Sequence, residues 1–468
     1  MTRDIEQLSI DTIRTLSMDA VQEANSGHPG LPMGMAPAAY LLYTRILEHN
    51  PADPTWPDRD RFVLSAGHGS MLLYSVLHLT GYDLSLDEIK RFRQWGSLTP
   101  GHPERDRVHV TPGVEMTTGP LGQGFANGVG MAMAEKFLRQ HYGAELQNHR
   151  IFAIVSDGDL MEGIASEAAS LAGHLALDRL VYLYDDNDIS LDGPTEWSFE
   201  TEDVAKRFDA YRWHVQTVDD ANDVRALELA IDQAMREEDR PSLIRVKSVI
   251  GWPSPNKQGT SKAHGSPLGE EEVRLTKEVL GWDPDQKFVI PEGVYEHMNQ
   301  RERGAALESE WQAKFRAFRE ANPERAREWD AAWAGKPLPG VAEALANIDW
   351  GKDKLATRVA GQKAMAAFDP YVPTMVGGAA DLSESTKTEF PGGDQQRYTR
   401  NHAGRNVFFG VREHGMGGAV NGMAGHGGIV RPYGSTFLQF ADYMRGAVRL
   451  SALMGLPVCW VYTHDSVG

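Results

Sequence analysis

Two apolar runs, 151–155 (IFAIV) and 180–184 (LVYLY), stand out from their polar flanks. Runs of strand length that are apolar at every position predict strands covered on both faces, as in a parallel sheet. Between them, 161–175 is rich in Ala and predicts a helix. Strand, helix and strand in this order predict a βαβ unit. Its two polar clusters, Asp157-Gly158 and Asp185-Asp186-Asn187, then lie at the carboxyl edge of the sheet, where open α/β sheets bind ligands.

The same reading extends along the chain. Residues 4–24 predict an amphipathic helix with Ile5, Leu8, Ile13, Leu16 and Ala20 near helical spacing. It runs into the sharp loop Ser26-Gly27-His28-Pro29-Gly30. A helix over 36–47, a strand over 61–64, the loop Ala66-Gly67-His68-Gly69 and a helix over 70–79 follow. A Gly-rich turn at 117–124 opens a helix over 125–142. A further α/β unit spans 200–250, with a strand over 243–250. The Gly/Pro/Ser loop 251–269 carries His264, and loops of that length are functional or disordered.

From about Asp283 the pattern changes. Residues 296–335 are charged and helical, with Trp311, Phe315 and Phe318 marking one apolar face. Lys336-Pro337-Leu338-Pro339-Gly340 breaks that pattern. A second α/β pattern starts near Lys354, with strands over 375–378, 407–410 and 458–462. The expected fold class is therefore α/β, with doubly wound, mostly parallel sheets and helices on both faces. The expected domains are 1–282, a helical connector over 283–353, and 354–468.

Composition narrows the class. The 468 residues carry 65 Asp+Glu against 47 Lys+Arg, a formal net charge of −18. That balance argues against nonspecific nucleic-acid binding. The one cysteine, Cys459, excludes an internal disulfide and fits a reducing compartment. The charged start MTRDIEQL has no apolar signal-peptide core. No apolar run approaches the ~20 residues that span a bilayer. A cytoplasmic protein, with no membrane or nucleic-acid partner, is expected.

The polar clusters suggest a ligand. Asp157 and Asn187 offer hard oxygens on neighbouring loops, which suits magnesium or calcium shared with ligand phosphates. Gly158 leaves room for an oxyanion near a helix N-terminus. The bland alternative is a strand end with solvated turns, since DG and DN pairs are common turn formers.

Asp157-Gly158, with Asn187 thirty positions on, resembles the metal and diphosphate motif of thiamine-diphosphate enzymes, with Ser156 in place of the motif's first Gly. The flanking segments resemble the transketolase family: SGHPGLPMG at 26–34, DRFVLSAGHGSML at 60–72, TPGHPE at 99–104, TTGPLGQG at 117–124, FFGVREHGM at 408–416 and YTHDS at 462–466. The resemblance covers essentially the whole chain.

The resemblance implies thiamine diphosphate and Mg or Ca as cofactors. It assigns the metal to Asp157, Asn187 and the Ile189 carbonyl. Diphosphate contacts fall to His68, Gly158 and His264, and main-chain contacts to Gly119 and Leu121. Glu413 follows an apolar stretch and would place a desolvated carboxyl at the aminopyrimidine ring, working with His28 and His264 as catalytic groups. An ordinary ion pair with Arg412 is the alternative for Glu413. Phe437, Phe440 and Tyr443, three apart, would stack around the ring. On spacing alone they read as plain core packing. Asp381 would lie beside the cofactor.

Substrate residues implied by the resemblance are His28, His102, His264, Arg358, Ser385 and His464. Imidazoles can donate to or accept from sugar hydroxyls, and Arg suits phosphate bidentately. The implied reaction moves a two-carbon glycolaldehyde unit from a ketose phosphate such as xylulose 5-phosphate to ribose 5-phosphate or erythrose 4-phosphate, in the non-oxidative pentose phosphate pathway. A homodimer is implied, with sites at its interface and Glu162 and Glu167 linking them. Dihydroxyacetone synthase and deoxyxylulose-phosphate synthase are neighbouring readings; the paired SGHPG and TPGHP loops favour transketolase. The chain stops at Val467-Gly468 just after a strand, and the family's C-terminal part, with a further histidine and arginine, is expected to lie outside it. A chain with weak or no turnover that keeps the fold and dimer interface is therefore the alternative expectation.

Overall fold

A computed structural model describes residues 4–106, 110–352 and 354–465. The expectations at residue 353 and at Val467-Gly468 lie outside the described residues. The chain divides into two units. One holds the chain up to Phe125 with His149–Gly163 and Asp178–Ser309. The other holds Ala126–Asn148, Ile164–Leu177 and the chain from Glu310.

The first unit is built on β1 (Arg61–Leu64), β2 (Ile151–Ser156), β3 (Leu180–Asp186), β4 (His214–Val218) and β5 (Ser242–Lys247). They form one parallel sheet in the order β1-β2-β3-β5-β4. Every residue of β1, β2 and β3 is buried, as continuous apolar runs require. The helix Ile5–Glu23 packs against Ser70–Thr80, Gly30–Gly34 and Ala36–Leu41. Helix Val224–Arg236 covers β3, β4 and β5.

Several boundaries differ from the sequence reading; the strand expected over 243–250 is Ser242–Lys247, and the one expected over 407–410 is Asn406–Phe408. Asp185 and Asp186 belong to β3 rather than to the turn after it, because β5 runs on beside them and pairs Asp186 with Lys247. Both carboxylates are compensated: Asp185 accepts from Asn187 Nδ2 at 2.9 Å and from Ser248, and Asp186 pairs with Lys247 at 2.8 Å and with Arg245. The helix expected over 161–175 is two helices, Asp157–Met161 and Gly163–Leu175, broken at Glu162 (φ −68°, ψ 133°). The expected helix over 36–47 stays α-helical only through Leu41. Its last turn widens, with Leu47 N bonded to Leu42 O at 2.8 Å.

The second unit is built on β6 (Met375–Ala379), β7 (Asn406–Phe408), β8 (Arg431–Phe437) and β9 (Cys459–Thr463), parallel in the order β7-β6-β8-β9. The sequence reading missed β8, whose Pro432 and Gly434 argue against a strand. The glycine marks a close approach: a Cβ on Gly434 would lie 2.8 Å from the Trp460 ring. Both units are thus parallel sheets with helices on both faces, the doubly wound arrangement.

Helix Glu413–Gly425 shows why distant segments join this second unit. Its glycines form a flat face against the helix Gln123–Tyr142. A Cβ on Gly422 would lie 1.9 Å from Asn127 O, and one on Gly130 equally close to Ala419 O. Asn127 Nδ2 donates to Gly418 O at 2.9 Å. Gly422→Ala therefore forces the helices apart. The expected cost is about 1–3 kcal/mol, read as a lower thermal midpoint, and a midpoint equal to wild type would refute the contact. Among the described residues no helix is long and apolar enough to cross a membrane.

Candidate functional site

In the first unit the carboxyl ends of β1, β2, β3 and β5 release the polar loops. Leu64 is followed by Ser65–Gly69, and Ser156 by Asp157 at the start of a helix. Asp186 is followed by Asn187, and Lys247 leads to the loop 251–269. Folding brings four histidines from four distant loops together. His28 lies 5.2 Å from His68, 6.3 Å from His102 and 5.8 Å from His264, ring centre to ring centre. His68 and His264 stack at 5.1 Å.

These imidazoles are held neutral. Burial, then His264, Arg93 and His102, push His28 down to about 4. Burial and the other three imidazoles push His68 well below its ordinary range. His102 is lowered by burial and then Arg93, and His264 by burial, opposed by the Ile189 carbonyl. A neutral imidazole has one donor and one acceptor. Nδ1 of His28 and of His264 is buried with no hydrogen-bond partner.

A titration checks this. The His28 signals in an NMR pH series should shift near pH 4. The unfolded chain takes up the proton nearer 6.5, so this group's effect is to lower stability as pH falls from about 6.5 towards about 4. A His28 transition near 6.5 would count against the packed cluster.

The expected metal ligands lie at the ends of β2 and β3. Asp157 is buried; its Oδ1 accepts from the Tyr184 hydroxyl and its Oδ2 has no partner. Burial pushes its carboxyl up to about 7, against the Tyr184 hydrogen bond, with Asp185, Asp186 and Asp188 adding to the rise. Asn187 Oδ1 accepts from Ile189 N at 3.0 Å, and Asp188 between them takes a left-handed φ of 60°. One carboxylate, one amide oxygen and one carbonyl make a hard, incomplete donor set, which fits Mg²⁺ or Ca²⁺ finished by ligand oxygens. A buried carboxylate oxygen without a protein partner fits a cation ligand. No cluster of three or more His, Cys, Asp or Glu that could hold a metal occurs among the described residues.

The backbone around these loops leaves room only for glycine. A Cβ on Gly158 would meet Leu121 Cδ1 at 2.8 Å, and Gly119 has φ +130° against the His102 ring. Arg93, which the sequence reading passed over, joins the cluster. Its Nη1 donates to Ser26 Oγ at 2.8 Å, its φ is 62°, and its Nε is buried without a partner. Its sequence signal was only a cation shortly before TPGHPE. Glu162 is exposed at the helix break.

In the second unit Glu413 opens its helix and is buried, with Thr436 Oγ1 3.4 Å from Oε1. Arg412 turns away, donating to Phe409 O at 3.0 Å and to Ser170 Oγ at 3.1 Å. Glu167 accepts from Gly415 N at 2.6 Å, and burial raises its carboxyl. Phe437 ends β8, while Phe440 and Tyr443 lie in the 3₁₀ turn Leu438–Met444. Three residues per turn align positions three apart. The rings run in series: Phe437 to Phe440 5.7 Å, and Phe440 to Tyr443 5.9 Å. His464 meets Phe437 at 5.0 Å. Arg358 Nη1 contacts the His464 ring and lies 3.4 Å from Ser385 O, so these three come together. Asp381 is exposed, with φ 60°.

Comparison with known proteins supplies the family. The model described as "Transketolase, thiamine diphosphate binding domain" matches residues 5–339, and "Transketolase, pyrimidine binding domain" matches 353–468. The transketolase of Geobacillus stearothermophilus is 54% identical over 472 residues, covering 100% of this chain and 70% of that protein. That of Bacillus subtilis is 51% identical over 468 residues, covering 99% and 69%. The crystal structure of Pichia stipitis transketolase with sedoheptulose 7-phosphate superposes with a TM-score of 0.94 at 42% identity, covering 99% of this chain and 69% of that one. Transketolase from Leishmania mexicana gives 0.94 at 41%, covering 100% and 69%. Two family matches in sequence order, on two parallel-sheet units that carry the motif loops at their strand ends, establish that this chain belongs to the transketolase family of thiamine-diphosphate enzymes.

Proposed function

We propose that the protein transfers a two-carbon glycolaldehyde unit from a ketose phosphate such as xylulose 5-phosphate to an aldose phosphate such as ribose 5-phosphate or erythrose 4-phosphate. It does so with thiamine diphosphate and Mg²⁺ or Ca²⁺, as a cytoplasmic homodimer of the non-oxidative pentose phosphate pathway. Three buried polar atoms without partners at one sheet edge carry this reading: His28 Nδ1, His264 Nδ1 and Asp157 Oδ2. Buried polar atoms ordinarily find a partner in the protein or in a bound water, ion or ligand, and these three lie together at the edge where ligands bind.

Asp157, Asn187 and the Ile189 carbonyl hold the metal. His68, His264, Gly119, Leu121 and Gly158 meet the diphosphate. Glu413, Phe437, Phe440, Tyr443 and Asp381 hold the aminopyrimidine end. Bound thiamine diphosphate supplies the acidic carbon that makes cleavage beside a carbonyl possible. Neutral His28, His102 and His264 both donate to and accept from sugar hydroxyls, and Arg93 adds a fixed charge beside them. Arg358, with Ser385 and His464, holds the phosphate. Val411, Leu438 and Tyr443 are exposed apolar side chains of the second unit, 76%, 59% and 68% accessible, which supports a covering subunit. The free Cys459 is consistent with a reducing compartment.

The test is two-carbon transfer from xylulose 5-phosphate to ribose 5-phosphate with added cofactor and metal, beside native mass in solution. Cofactor- and metal-dependent turnover by a dimer supports the reading; no turnover by a folded, cofactor-loaded protein overturns it. The latter result favours a second reading, a chain with little turnover that keeps the fold and a dimer interface.

A further inference from the structure

Three loops at the sheet edge of the first unit meet at one side chain outside the family motif. Asp159 is fully buried. Its Oδ1 accepts from Ser65 Oγ at 2.7 Å and from Gly122 N at 2.7 Å. Its Oδ2 accepts from Ser156 N at 2.9 Å and from Ser156 Oγ at 3.1 Å. Four donors thus converge on one carboxylate from the end of β1, the Gly-rich turn and the end of β2. Ser156, which departs from the motif's glycine, supplies one of them with its hydroxyl.

Each tied segment carries residues assigned above to the cofactor. His68 follows Ser65 by three positions. Gly119 and Leu121 precede Gly122. Asp157 and Gly158 lie between Ser156 and Asp159. The segments also touch closely: a Cβ on Gly67 would lie 2.6 Å from Gly119 N, and one on Gly124 2.6 Å from Ser65 Cα. Thr118 Oγ1 donates to Leu64 O at 2.7 Å. Packing brings the loops together, and directional hydrogen bonds to a charge set their register.

We infer that Asp159 is a positioning residue, the common acceptor that sets the diphosphate-facing loop around His68, the Gly119–Leu121 turn and the metal ligand Asp157 relative to one another. It touches neither cofactor nor substrate and acts through those loops. The inference rests on the functional reading above. An asparagine cannot replace it. Whichever way the amide turns, its NH₂ faces either Ser65 Oγ and Gly122 N or the two Ser156 donors, and a backbone N–H is left facing a donor. Misplacement of a binding group by about 1 Å costs about 100-fold in rate.

Asp60 provides the control. It too is a buried carboxylate accepting two backbone donors, Arg150 N at 2.6 Å and Glu48 N at 2.9 Å, but it precedes β1 at the opposite edge of the same sheet. The experiment measures thermal midpoints without cofactor, and thiamine-diphosphate affinity by calorimetry at saturating Mg²⁺, for wild type, Asp159→Asn, Ser65→Ala and Asp60→Asn. Asp159→Asn and Asp60→Asn should both lower the midpoint. Asp159→Asn should weaken cofactor binding about 10–100-fold, Ser65→Ala less, and Asp60→Asn not at all. Wild-type affinity in folded Asp159→Asn overturns the inference, as does equal weakening in Asp60→Asn, which would make the effect one of general stability. Should Asp159→Asn fail to fold, Ser65→Ala decides: weaker binding than Asp60→Asn supports the inference and wild-type binding overturns it. If wild type itself binds no thiamine diphosphate, the functional reading fails first and takes this inference with it.

Discussion

Asp157→Ala should abolish metal-dependent binding of thiamine diphosphate while leaving the fold in place. The carboxylate is buried and its Oδ2 has no protein partner. Removing it therefore breaks one hydrogen bond, from Tyr184, whose hydroxyl also lies 3.4 Å from Asp186 Oδ1. The uncomplexed protein loses little. The loaded state loses the one negative charge among the three expected metal donors, and a diphosphate would then face the edge without its counter-cation. Loss of groups that merely orient metal ligands costs about 10–100-fold in metal affinity, so loss of a ligand should exceed that. Calorimetric titration with thiamine diphosphate, with and without Mg²⁺, reads the effect. Unchanged affinity in a variant that melts like wild type would falsify the metal assignment.

Glu413→Gln should leave folding and cofactor affinity near wild type and remove proton transfer at the cofactor. Glu413 is buried at the first turn of its helix, and Thr436 Oγ1 is 3.4 Å from its Oε1. Arg412 does not pair with it, so the carboxyl is free to share a proton with a ring nitrogen. Glutamine keeps the shape and can still donate, but it cannot pass a proton back and forth. General acid–base catalysis of this kind contributes about 10²–10⁴-fold, so the rate should fall at least ~100-fold. Deuterium exchange at the cofactor's reactive carbon isolates this step from sugar binding. Exchange at the wild-type rate would remove Glu413 from the mechanism.

Both substitutions fall on residues that the sequence marks by itself. The motif residues are legible because each loop carries its own local signal: glycines where backbone must approach a ligand, prolines where the chain must turn, a carboxylate after an apolar strand. Tyr184 and Arg93 carry no such signal, and Asp159 carries only that of a capping box with Ser156. Asp159 looks like one more acid at a helix start, and only folding shows Ser65 and Gly122 donating to it from 94 and 37 positions away. Arg93 becomes part of the histidine cluster only because its loop folds back onto Ser26.

The sequence by itself determined the strand–helix alternation, the buried character of β1, β2 and β3, and the identity of the loops that emerge at their carboxyl ends. These follow from local periodicity and from the chemistry of single residues. Tertiary structure alone decided the rest. It drew Asp185 and Asp186 into β3, because β5 lies beside them, with Ser248 donating to Asp185 and Arg245 and Lys247 pairing with Asp186. It made a strand of Arg431–Phe437 despite its proline and glycine, because a missing Cβ lets Trp460 close against Gly434. It set each of four loop histidines 5.1–6.3 Å from another, lowered all four pKa values by burial, and lowered those of His28 and His68 further through the neighbouring imidazoles. Protonation state and strand order depend on neighbours distant in the chain, and a one-dimensional pattern does not encode them position by position.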